Sequence, residues 1–281
     1  AIGGRDGARE ALAGFWHAVG QSASSFSNVM GADEAGKLAP GTRILMMWAQ
    51  RFSPRQLNPF DINPLRDIVV EQIDFERLRS ASPLRLFIAA THANTGQLRL
   101  FREHELDASM LLASGCLPTL AHSVLVDGEP YWDGAFSANP AIFPLIHECE
   151  ASDVLFVLLS PSYYGDMPRS VVEIRARTLE IAFNATFLRE VRGVARMQKA
   201  AQASRFGWGS FERRLRGLTF HLIESDDLMM ELGSETRLAA NQVFLEGLRD
   251  RGREHASAWL AQHFDEVGHR SSCDLVARFG D

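Results

Sequence analysis

The chain has 281 residues, 46% of them hydrophobic and 23% charged, which leaves room for a sizeable core in a globular protein. Its net charge of −6 argues against nucleic acid as a partner and gives no whole-molecule attraction to anionic lipid, so any membrane contact would be local and apolar. Three cysteines without a Cys-x-x-Cys spacing fit free thiols in a reducing, cytoplasmic compartment better than a disulfide framework, and no apolar run reaches the roughly 18 residues of a membrane span.

A helix is predicted almost from the start. Asp6 can cap it, and Leu12, Phe15, Trp16 and Val19 recur at helical spacing. Gly14 weakens this helix and points to a close approach by a neighbour. Ser22 to Ser27, small and polar, read as a loop. They open an irregular, partly helical passage that runs to residue 83. Within it, Ile44-Leu45-Met46-Met47-Trp48 is either core filling or a lipid-facing patch. A helix is expected from Pro64, a residue suited to the first helical position.

From Leu84 the pattern becomes β. Leu84 to Thr91 is strand-like, Asn94-Thr95-Gly96 is a turn, and Gln97 to Arg102 alternates, which makes a hairpin. A helix over 107–115 follows, with Asp107 as its cap. It runs into Ala113-Ser114-Gly115-Cys116-Leu117-Pro118, a small-residue segment closed by proline. An apolar run (Ser123 to Val126) and a turn (Asp127-Gly128-Glu129-Pro130) then lead to Tyr131-Trp132-Asp133-Gly134-Ala135-Phe136-Ser137-Ala138-Asn139-Pro140. A strand ending in Asp-Gly exposes the aspartate at a loop, where catalytic groups tend to sit. The plainer alternative is a surface turn. Gly134 permits a sharp turn after Asp133, and Asn139 suits a side chain that ties the loop down.

Beyond Pro140, a short helix (Ala141 to His147) precedes Val154 to Leu159, a continuous apolar run expected to be a strand buried on both faces of a parallel sheet. Ser170-Val171-Val172-Glu173 is a capping box that opens a long helix. Its buried side is expected at Val171, Ile174, Thr178, Ile181, Ala185 and Leu188. Leu218 to Ile223 reads as a strand, with Ser225-Asp226-Asp227 capping what comes next. Two helices, 235–249 and 253–266, are expected on either side of Gly252.

Rival chemistries are less well supported. His122 is the histidine nearest the Asp133 stretch, but a lone histidine is more often packed or solvated than catalytic. His147-Glu148-Cys149-Glu150 are adjacent rather than three or four apart, so they fan outward as a helix end and not as a metal cluster. Cys116 lacks an activating partner in sequence. No Gly-x-Gly-x-x-Gly or Walker-type loop occurs, which removes the usual nucleotide cofactors. Phe206-Gly207-Trp208-Gly209-Ser210-Phe211 is either an interfacial tip or a loop folded back on the body.

The segment Ala113 to Pro118 followed by Asp133-Gly134-Ala135 and Asn139-Pro140 resembles the second half of the patatin-like phospholipases and acyl hydrolases. The resemblance implies an α/β fold, a three-layer α/β/α sandwich around a mainly parallel sheet, in one domain over residues 1–281. In it, 21–83 would be a cap- or lid-like insertion and 205–281 a helical C-terminal part. It further implies hydrolysis of lipid acyl esters by a Ser–Asp dyad. Asp133 would be the general base, supported by Gly134, Ala135 and Asn139, with no metal and no cofactor. The partner would be a lipid or acyl-ester substrate, met in the cytoplasm or peripherally at a membrane.

No Gly-x-Ser-x-Gly elbow occurs in the chain; Gly207-Trp208-Gly209-Ser210 and Ala113-Ser114-Gly115 come nearest. In the family the first helix here would follow the nucleophile turn. The resemblance therefore implies a first strand and elbow before Ala1, and a chain inactive without them. The alternative is a non-catalytic pseudo-hydrolase that binds lipid or a protein partner.

Overall fold

The structure is a computed structural model that describes residues 3–30, 51–161, 163–204, 209–232 and 240–280. It is mixed α/β, 55% helical and 12% strand. Strands β1 (Phe87–His92), β2 (Leu98–Arg102), β3 (Val124–Val126) and β4 (Glu129–Asp133) form a four-stranded antiparallel sheet in the order β2-β1-β4-β3. Strands β5 (Asp153–Val157) and β6 (Thr219–Ile223) form a separate parallel pair. The expectation of a mainly parallel sheet is thus not met among the described strands. Short turns join β1 to β2 and β3 to β4 and force antiparallel pairing, whereas β5 reaches β6 through a long helical crossover. The β3–β4 connection is Asp127-Gly128, both at positive φ, the backbone a two-residue hairpin turn requires.

Helix α1 (Gly4–Met30) runs straight through Ser22 to Ser27, which are helical and not the expected loop. Serine costs a helix only a few tenths of a kcal/mol, too little by itself to end one. The packed positions are Phe15, Ala18, Val19 and Gly20, whereas Leu12 and Trp16 are exposed. The close approach falls at Gly20, where a Cβ would collide with Gln242; Gly14 faces open space. After α2 (Pro54–Leu57), α3 (Pro64–Gln72) starts at Pro64 as expected, and α4 (Phe75–Ala81) is capped by Asp74. Ile44 to Trp48 lie outside the described residues.

Helix α5 (Ala108–Ser114) is capped by Asp107, whose carboxylate accepts from the Met110 amide. It packs on the antiparallel sheet around Ala90, Phe101, Leu106, Met110, Ala113 and Val126. After α6 (Phe143–Glu148) and β5, helix α7 (Val171–Ala203) opens on the expected capping box. A second core joins Ile142, Ile146, Val154, Phe156, Phe187, Val191 and Phe220, so α7 covers one face of the parallel pair.

Two burial expectations fail here. Leu155 and Val157 of β5 are 47% and 59% exposed, so the strand is buried on one face only. On α7, Val171, Ile174 and Ile181 are exposed, as are Thr178 and Ala185. The buried side begins at Phe187 and continues through Val191, Val194, Ala195 and Ala201. Length is the reason: α7 has 33 residues, about 50 Å of helix, against about 17 Å for a five-residue strand. Its first half runs past the sheet.

The C-terminal part carries α8 (Ser210–Gly217), β6, α9 (Asp226–Glu231), α10 (Gln242–His263) and α11 (Leu275–Phe279). It is therefore not wholly helical. Gly252 lies inside α10 and divides nothing; one interior glycine costs only about 1 kcal/mol, which a long helix absorbs.

Candidate active site

Asp133 is the last residue of β4, placed opposite Ala90 of β1 by the sheet register. The chain then turns at once into a single 3-10 turn, Gly134–Phe136, with Asp133 as its cap. One carboxylate oxygen of Asp133 accepts from the Ala135 amide at 2.9 Å. Its backbone is pinned on both sides: the amide donates to the Cys116 carbonyl at 2.9 Å, and its carbonyl accepts from the buried Thr91 hydroxyl at 2.8 Å. Thr91 also hydrogen-bonds Ser137 at 2.8 Å. The Cys116 contact physically joins the upstream small-residue segment to the Asp-Gly stretch.

Gly134 is required for a reason other than turn conformation, since its φ is not positive. A Cβ there would collide with the backbone carbonyl of Ala89. Glycine lets the turn lie directly on β1 and fixes where Asp133 points.

The half-buried Asp133 carboxyl sits above the ordinary carboxylate range. Desolvation is the larger cause, and the Ala135 amide offsets it in part. No described histidine, lysine or arginine ion-pairs with it.

The loop beyond Asp133 is clamped to α7 at three points. Phe136 meets Phe183 edge to face at 4.8 Å. The Asn139 amide reaches the Phe183 carbonyl at 3.5 Å, beside a cis Asn139-Pro140 bond. The third clamp was not legible in the sequence reading: the Glu190 carboxylate accepts from the amides of Ile142 and Phe143 at 2.8 and 2.6 Å. Burial raises the Glu190 carboxyl, while those two amides pull it down. A carboxylate between Leu188 and Val191 on the buried stripe was the available signal, because such a charge needs partners.

The rivals fall into ordinary roles. Ser114 donates to the Leu111 carbonyl at 2.7 Å, a local bond within α5. Cys116 is buried, donates to the His122 carbonyl, and is pushed up chiefly by desolvation, the opposite of a reactive thiol. His122 lies 3.7 Å from Asp61. His147 is stacked between Phe143 and Phe211, and Glu148 pairs with Arg102 at 2.7 Å, so this group is a helix end with separate partners. Phe211 thereby folds back on the body; Phe206 and Trp208 lie outside the described residues. Among the described residues no group of His, Cys, Asp and Glu is arranged to hold a metal ion, and no helix is long and apolar enough to cross a membrane.

A second carboxylate chain stands at the parallel pair. Asp153 accepts from His221 at 3.0 Å, and His221, 1% exposed, meets the Ser272 hydroxyl at 2.9 Å. Its composition is that of a hydrolase triad. Asp153, however, also accepts from Gly268 at 2.7 Å and Thr219 at 2.8 Å. These ties lash the chain around residue 268 to the first strand of the pair. The imidazole presents Nδ1 to the serine and Nε2 to the aspartate, the reverse of the usual catalytic arrangement.

No family model matches the chain, and no curated protein matches it.

Proposed function

We propose that the protein is a patatin-like acyl hydrolase in which Asp133 is the base of a Ser–Asp dyad. The observation that carries this reading is the Asp133 carboxylate itself. It is held at a strand end by one amide, raised by desolvation, and without a second hydrogen bond among the described residues. That leaves one oxygen for a serine hydroxyl. In the reaction, Asp133 takes the proton of the serine Oγ as it attacks the ester carbonyl. It returns that proton to the leaving alcohol and then repeats the transfer with water.

The finer fold belongs to the same proposal. A parallel pair is normally covered on both faces, yet Leu155 and Val157 are bare and the outer edge of β5 is unpaired among the described residues. A further strand and helix layer there would complete a three-layer sandwich and bring the nucleophile. Exposed Leu159, Tyr163 and Met167 are the side chains that would touch a lipid surface.

The second reading, a non-catalytic lipid or partner binder, is favoured by one fact: no described serine hydroxyl hydrogen-bonds Asp133. A fluorophosphonate probe separates the two. The chain extended through its upstream coding sequence should label at one serine, and Asp133→Asn should suppress labelling. An extended, folded protein that never labels would establish the binder instead.

A further inference from the structure

At the carboxyl end of β5 a cavity of about 630 Å³ opens between the chain that follows the strand, the middle of α7 and the end of α11. Open α/β sheets place ligands at strand ends of this kind, and the volume suits a small molecule. Charge is one-sided there. Two guanidinium groups, Arg192 and Arg278, line the cavity, and no carboxylate does so among the described residues. Arg192 donates through Nε to the Phe279 carbonyl at 2.8 Å, a neutral acceptor that steadies the planar fork without cancelling its charge. Arg278 donates to Glu224 at 2.7 Å, a carboxylate outside the lining. Aromatic rings form much of the wall. Phe187 and Phe279 meet edge to face at 5.6 Å, and Tyr163 and Tyr164 add two more rings. Tyr164 is itself held against α7, with the Arg177 guanidinium over its ring at 5.0 Å and the Asn184 amide 3.4 Å from its hydroxyl.

We infer that this cavity binds a small aromatic carboxylate, with its charged end on the Arg192 guanidinium and its ring among Phe187, Phe279 and Tyr164. A planar carboxylate matches the guanidinium fork, and its charge strengthens each hydrogen bond it accepts. With no acidic group in the lining, nothing inside repels an anion, and Arg278 adds attraction. An aromatic ring gains edge-to-face contacts with such walls beyond the area that it buries. A flexible aliphatic chain gains none of these and loses more conformational freedom on binding. This ligand is not the ester of the proposed hydrolase, and Asp133 takes no part in holding it. Ala185 lines the cavity from the exposed surface of α7, so a large residue there fills the space without disturbing the core.

Calorimetric titration of the chain with 2-naphthoate, its neutral isostere 2-naphthamide and the aliphatic anion decanoate tests this without any catalytic step. The naphthoate should bind at one saturable site, and the amide and decanoate should each bind about tenfold more weakly or worse, the scale of a lost charge-assisted hydrogen bond. Added salt should weaken the naphthoate and leave the amide nearly unchanged. Arg192→Gln should weaken the naphthoate by about tenfold or more and bring it level with the amide. Should Arg192→Gln fail to fold, Ala185→Trp decides: it should abolish naphthoate binding with unchanged circular dichroism and melting temperature. Asp133→Asn should leave binding unaltered. Equal affinity for naphthoate and amide would show that the guanidinium groups select nothing and would overturn the inference. Decanoate bound as tightly as naphthoate would overturn the aromatic class. Undiminished binding in Ala185→Trp, or no saturable naphthoate site in the unaltered chain, would overturn the site itself.

Discussion

Asp133 and Asp153 both sit at the end of a β-strand, and the fold treats them in opposite ways. Asp153 opens β5 and accepts hydrogen bonds from a histidine, a backbone amide and a threonine. The Gly268 amide is the largest cause that holds its carboxyl well below the ordinary range, followed by His221. Asp133 closes β4, accepts one amide, and is raised because burial outweighs that single bond. A carboxylate with its lone pairs occupied is a fastener. One that is desolvated and left an open oxygen is suited to move a proton. Residue type and position are alike; the count of donors decides.

The largest separation between the two is expected in catalysis. In the upstream-extended protein, Asp133→Asn should lower kcat/KM for a short-chain ester by roughly 10²–10⁴ or more, the scale of a lost acid–base group. Asp153→Asn, assayed at a temperature where it is folded, should change it by less than a few-fold. Equal losses in both would erase the distinction, as would an active Asp133→Asn enzyme.

Stability should separate them in the reverse sense. Asp153→Asn removes a charge that several donors face and should cost about 2 kcal/mol in urea unfolding at neutral pH. Gly134→Ala should cost about 1–3 kcal/mol, because the Ala89 carbonyl cannot move aside without breaking β1. Asp133→Asn should instead gain roughly 0.5–2 kcal/mol, because it removes a desolvated charge that one amide only partly offsets. A destabilised Asp133→Asn would mark Asp133 as another fastener.

The pH dependence follows from the signs. The folded-state value of Asp153 is depressed, so its contribution is present above about pH 3.9 and is lost as pH falls toward that folded value. The folded-state value of Asp133 is raised, so its contribution is fully present below the unfolded value and is lost as pH rises through the folded one. The difference in unfolding free energy between Asp133→Asn and the unaltered chain should therefore grow between those two values and level off above them. Unfolding curves at a series of pH values would show it.

Much of the local structure was legible because it depends on short-range chemistry. The Pro64 start, the Asp107 cap, the Ser170 capping box and the Asp127-Gly128 turn are all written in a few adjacent residues. The place of Asp133, at a strand end before a tight turn, was legible for the same reason. What failed depended on what lies opposite an element. Val171, Ile174 and Ile181 have helical spacing but overhang the sheet, and Leu155 and Val157 lie in an apolar run whose second face is uncovered. The roles of Gly134 and Glu190 needed the three-dimensional neighbours, the Ala89 carbonyl and the amides of Ile142 and Phe143, which no spacing rule announces.

The central claim is that the fold saturates one of these carboxylates and keeps the other desolvated and open. Carbon-detected NMR titration of the side-chain carboxyls, with Asp133→Asn and Asp153→Asn used to assign the two signals, reads both groups in one sample. The account predicts a midpoint above the ordinary aspartate value of about 3.9 for Asp133 and one well below it for Asp153. An Asp133 midpoint at or below the ordinary value would contradict it.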